Sequence, residues 1–146
     1  MSKYIDNLIY DRTVQDIQEM TTKAYIDYQD LNRIELAIKW VSHILNQYGY
    51  RNATHNKVNW HPEDRRTDSE MERLRKNIAA IRAAYYTPPS TPQTPERITY
   101  TSIYQANFIE QIIHDIGVLV EQASPGMQHV AFKLGTRAFG NREVKL

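Results

Sequence analysis

The sequence predicts a mainly α fold: a three-helix bundle of degenerate helical repeats, with a short N-terminal helix before it and a C-terminal extended or β-hairpin tail after it. Three observations predict this. Apolar residues recur at three- and four-residue steps in three separate stretches. A similar helix-start signal precedes each stretch. All six prolines, at 62, 88, 89, 92, 95 and 125, fall outside them, and proline breaks helix interiors.

The chain has 146 residues, which fits one domain. It divides into an N-terminal arm over 1–23, a helical repeat bundle over 24–123 and a tail over 124–146. In the arm, "DRTVQDIQEMTTKAY" offers Thr13 as a cap, Asp16 as its partner, and Val14, Ile17 and Met20 along one side. A helix this short is unstable alone and is expected to dock.

The bundle helices are predicted over 28–47, 68–86 and 103–122. Leu31, Ile34, Ile38, Val41 and Leu45 form the first seam. Met71, Leu74, Ile78, Ile81 and Tyr85 form the second, and Ala106, Ile109, Ile113, Ile116 and Val120 the third. This is the spacing of a helix that packs one stripe against other helices. Asp27 with Asp30, Thr67 with Glu70 and Ser102 with Gln105 sit at the same offset before each seam. The last two are capping boxes; the first is an aspartate variant that also suits the helix dipole. Gly49 is a plausible stop. "DLNRIE" at 30–35 thus answers to "EMERLR" at 70–75 and "QANFIE" at 105–110, a degenerate repeat with spacings of 40 and 35 residues.

Links of 18 and 15 residues join these helices, longer than bundle hairpins need. A 15-residue link reaches about 50 Å, so either one can return along the bundle. Identical seam registers would then permit parallel neighbours; up-and-down packing with decorated loops is the commoner alternative. The second link, "TPPSTPQTPER", reads as an extended polyproline spacer. In the tail, Val130, Phe132 and Leu134 alternate among glycines, with Phe139, Val144 and Leu146 beyond. Lys133, Arg137, Arg142 and Lys145 against Glu143 give it a net charge of +3, so the rest of the chain, from a total of +1, carries −2.

Composition narrows the function. Cysteine is absent, so thiolate chemistry and disulfides are excluded within this sequence. No apolar run has signal-peptide or transmembrane length, so no transmembrane helix is expected. Ten of fifteen aromatics are tyrosines, which suit edges and interfaces. The five histidines form no metal-ligand spacing, and no phosphate-binding or nucleophile-elbow glycine pattern occurs. No catalytic, cofactor or metal residues are therefore assigned. Glu35 and Glu110 occupy matching positions, and Arg75 stands at the third. They read as solvated flank salt bridges, with an Arg75 bridge conceivable. Arg73, Arg75, Lys76 and Arg82 could meet nucleic acid, but acidic residues interleave around the second helix, and phosphate binding wants a one-sign face. A small helical regulatory or nucleic-acid-binding accessory protein is accordingly the alternative reading.

"YQDLNRIE" at 28–35 and the run "NWHPEDRRTDSEMERL" at 59–74 resemble short helical modules in structural proteins of tailed bacteriophages and prophages. Those modules come from the tail, baseplate or fibre-attachment regions. There, a tryptophan, an acidic turn and a threonine cap precede a helix beginning D-[LFM]-N-R-I-E. Asp30 to Glu35 match in full. Trp60 and Thr67 match the lead-in, but Glu72 stands where asparagine is typical and Arg75 where glutamate is. "LIYDRT" at 8–13 resembles the opening of such proteins; the tail lies outside the resemblance. It implies a non-enzymatic virion component that assembles with other virion proteins and copies of itself, after a stage in the host cytoplasm. Asn32, Arg33, Trp60, Phe132, Leu134, Phe139 and Val144 are the expected interaction residues, with no small-molecule substrate.

Overall fold

The computed structural model describes residues 2–100 and 102–122. In chain order it has α1 (Lys3–Asp6), α2 (Val14–Gln18), a 3-10 turn (Thr22–Ala24), α3 (Tyr28–Gln47), α4 (Asp68–Ala84) and α5 (Ile103–Gln122). No strand occurs among the described residues. The expected extended or hairpin tail, with Phe132, Leu134, Phe139 and Val144, lies outside them.

The three long helices pack pairwise around one core. Every expected seam residue from Leu31 to Val120 is buried in it except Tyr85. Each such isoleucine or leucine contributes about 1.5–3 kcal/mol by leaving water. The chain's connecting segments add Ile5, Leu8, Trp60 and Ile98 to the same core.

Helix ends follow local chemistry. Asp27 caps α3 with both halves of the box formed, and so does Thr13 on α2. Thr67 accepts Glu70 N–H, but the Glu70 carboxylate turns to Arg73 and does not reach back. Ser102 accepts Tyr104 N–H, while Gln105 reaches past it to accept Thr99 and Tyr100 N–H. Both halves of the box are formed at α3 and α2. α3 stops in a Schellman turn: Gly49 has φ of 92°, Gly49 N–H bonds the Asn46 carbonyl and Tyr50 N–H bonds that of Leu45. α4 ends at Ala84, short of the expected 86. Tyr85 is already extended, the Thr87 hydroxyl donates to the Arg82 carbonyl, and Pro88 follows.

α3, α4 and α5 all point the same way. Arg33 meets Glu110 at one level, and Val41 lies beside Gly117 at a higher one. Glu35 meets Arg73, and further along Tyr50 packs edge-on against Tyr85. Arg97 bonds both Asp68 and Gln105, at the starts of α4 and α5. Higher up, Arg82 and Asp115 both hold the link at Thr91–Pro92. Of the two arrangements open to the sequence, the parallel one is found.

Parallel helices require the chain to return after each one, and it returns through the grooves between them. Residues 2–12 form a first strap, running down between α5 and α3 from Glu121 to Asn107. A second strap, 50–66, runs down between α3 and α4, from Ser42 past Glu35 to Asn32. The third, 85–100, descends between α4 and α5. It is more than a surface spacer, because Thr91 and Ile98 are buried.

The expected docking of the N-terminal helix is not found. α2 buries no residue: Val14 is 51% exposed, Ile17 45% and Met20 74%. The part of the arm that docks is the strap before it, where Ile5 and Leu8 are buried. Met20 also ends α2 with φ of 56°, a left-handed conformation that costs a residue with a side chain about 1 kcal/mol and glycine almost nothing.

Candidate functional site

Two buried carboxylates organise the strap contacts. Both sit three residues after an asparagine on the same flank of a long helix. In α5, Asn107 Oδ1 accepts Arg12 N–H at 3.0 Å, and its Nδ2 donates to the Arg12 carbonyl at 3.0 Å. Glu110 accepts Ile9 N–H at 2.9 Å and the Arg12 guanidinium at 2.6 Å. Arg33 closes the cluster from α3 with two bonds to Glu110, at 3.1 and 3.0 Å.

The arrangement recurs on α3. Asn32 accepts Trp60 N–H at 2.7 Å and donates to the Trp60 carbonyl at 3.1 Å. Glu35 accepts Lys57 N–H at 2.9 Å and Trp60 Nε1–H at 2.6 Å. Arg73 closes this cluster from α4, at 2.6 and 3.0 Å. In both clamps the asparagine holds both backbone groups of one strap residue. The glutamate takes that residue's side-chain N–H and the backbone N–H three positions earlier. An arginine from the neighbouring helix completes it.

α4 departs from the pattern. Glu72 and Arg75 occupy the matching positions and bond each other on the surface. The helix instead uses Asn77, two residues later, to hold His55 N–H at 3.0 Å and its carbonyl at 2.8 Å.

The electrostatics follow from burial. The side chains of Glu35 and Glu110 are 0% exposed, as is that of Arg12. A buried charge is tolerable only when paired and hydrogen-bonded, and each carboxylate here is met by several donors. Burial alone would weaken the hold of Arg33 on its proton, but its bonds and charge contacts with Glu110 and Asp30 outweigh that and strengthen it. Arg73 is strengthened too, first by its bonds to Glu35 and then by Glu70, against a smaller opposing effect of burial. Tyr100, with φ of 52°, keeps its buried hydroxyl without a partner. Burial pushes its phenol well above the usual range, and the charge of Glu110 adds to this.

These contacts correct several expectations. Glu35 and Glu110 are not solvated flank residues, and Arg75 bridges neither. Asn32, Arg33 and Trp60, expected to meet other chains, are engaged inside this one: Asn32 and Trp60 bond each other, Arg33 bonds Glu110, and Trp60 is 3% exposed. Arg73, Arg75 and Arg82, cations that the alternative nucleic-acid reading would use, bond Glu35, Glu72 and the Pro92 carbonyl.

No family model, curated protein or solved structure matches the chain. Among the described residues, no group of three or more His, Asp or Glu could hold a metal ion, and no helix is long and apolar enough to cross a membrane.

What the clamps can do chemically is hold extended chain. Asn32 and Asn107 grip only backbone groups, so they read conformation rather than side-chain identity. The carboxylate oxygens of both glutamates are shared between a strap and an arginine of the neighbouring helix. The surface outside them carries exposed apolar side chains: Val14, Ile17, Met20 and Tyr25 near α2, and Tyr104 and Phe108 on α5. Val14, Ile17, Tyr25 and Tyr104 line one open groove, with Arg66 at its edge.

Proposed function

We propose that this chain is a non-enzymatic structural component of a phage virion, in the tail, baseplate or fibre attachment, acting by protein–protein assembly with copies of itself and other virion proteins. One observation supports the non-enzymatic part: the dense polar run from Asp27 to Glu35 is taken up by a helix cap and a strap clamp. A general acid or base must reach its substrate's proton, and Glu35 and Glu110 are buried under their own donors. The resemblance of 28–35 and 59–74 to helical modules of phage structural proteins supports the virion part. The exposed apolar side chains around α2 and α5 support contact with other chains.

The regulatory or nucleic-acid reading gains nothing from the fold, because three of its four cations are engaged within the chain. The test is direct. Mass spectrometry of purified particles should find the protein, and a chain lacking 125–146 should keep its helical circular dichroism yet fail to enter particles. Normal incorporation of the shortened chain would sink the docking role of the tail. Absence of the full chain from particles would sink the virion reading.

A further inference from the structure

We infer that the groove between α3 and α5 also accepts the first strap of a second copy, so that copies join by exchanging residues 2–12. The structure shows what the groove fits, because that segment fills it within one chain. Ser2 N–H bonds Glu121, Ile5 sits over Gly117, Ile9 N–H bonds Glu110, and Arg12 bonds Asn107 and Glu110. Gly117 shapes the seat: a Cβ there would overlap the Ile5 side chain. An identical copy supplies the same backbone, the same isoleucine and the same arginine, and so completes the same buried ion pair.

The three straps differ in how they are tied down. The second runs directly into the cap of α4 at Thr67, and the third reaches α5 three residues after Tyr100. The first is separated from α3 by residues 13–27, and the one α-helix in that stretch buries nothing. Residues 13–26, ahead of the Asp27 cap, can span about 46 Å if drawn out, at the loss of the bonds from Arg12 to the Lys23 carbonyl and from Arg66 to the Ile26 carbonyl. The first strap is thus the one that can leave without unravelling a core helix, which is the condition for a low-cost exchange. The same tether carries Val14, Ile17 and Met20, apolar and exposed within one chain, with Met20 held in the conformation that favours glycine. In an exchanged pair the two tethers cross between the copies, and these side chains lie where copy meets copy.

The sequence lacks cysteine, so an Ile5→Cys/Gly117→Cys variant carries the only two thiols. Heavy-isotope-labelled and unlabelled copies would be mixed at high concentration and oxidised, and the linked 5–117 peptides read by mass spectrometry. Exchange predicts mixed-isotope links and a covalent dimer on a non-reducing gel. Same-isotope links alone, at every concentration, overturn it. If that variant does not fold, complementation replaces it. Arg12→Ala copies keep a sound groove and Glu110→Ala copies keep a sound strap. Mixing them should yield a heterodimer by light scattering that neither forms alone, and no such species overturns the inference. This goes beyond the virion reading and fails separately from it: the cross-link is read on purified protein, whereas presence in particles tests only the other.

Discussion

At the residue scale, the two buried glutamates decide most of what this chain is. Removing one partner of a buried ion pair strands the other charge, at about 3–5 kcal/mol. Glu110→Gln, which leaves the fully buried Arg12 without its carboxylate, should therefore lower the free energy of unfolding in urea by about that amount, whereas Glu72→Ala, on the surface of α4, should leave the midpoint nearly unchanged. Equal effects would mean that Glu110 is not held as its bonds imply. Part of this was legible. "NRIE" at 32–35 and "NFIE" at 107–110 share asparagine, isoleucine and glutamate at one spacing, and the middle repeat lacks both polar members. What was not legible is burial. A glutamate one step past a seam is ordinarily wet, and only a strap lying over it makes it dry. The straps' own residues, Arg12 and Trp60, carry no periodic signal that would place them there.

At the element scale, the long helices were the most readable part, because seam and cap agree in each. α3 and α5 have the expected limits, and α4 loses only its last residues, ahead of the Pro88–Pro89 pair. α2 was predicted for the right reason and given the wrong role: its cap forms fully, but its apolar side stays exposed. The cap makes it sensitive to acid. Asp16 accepts Thr13 N–H and the Thr21 hydroxyl, and these bonds hold its carboxyl below the ordinary value of 3.8, the backbone bond contributing most. A depressed folded value means the contribution is complete above the ordinary pKa and is lost as pH falls through the folded one. An NMR titration should therefore show the Asp16 carboxyl midpoint below 3.8, with Thr13 amide protection lost over the same range. A midpoint at or above the ordinary value would contradict the cap.

At the scale of the whole molecule, helix direction was the point the sequence left open. Seam spacing is the same for parallel and antiparallel neighbours, and link length permits a return without requiring one. The straps settle it, because each is bonded at successive levels along the helix it descends. Since every strap touches two helices, no helix should unfold alone. In a Trp40→Phe chain, whose single tryptophan is Trp60 of the second strap, urea unfolding followed by fluorescence should coincide with loss of helical circular dichroism. An earlier fluorescence transition would show the second strap detaching first.

Parallel packing has one further consequence. Each helix carries roughly half a positive charge at its N-terminus and half a negative one at its C-terminus. In an antiparallel bundle these largely cancel. Here all three add, so one end of the described bundle gathers three helix N-termini and the other three helix C-termini. Asp27, Asp68 and Glu70 temper the first end, but the last turns of α3 and α5 contain no basic residue to temper the second. Over the described residues, the three helices thus share an electrical direction as well as a chain direction.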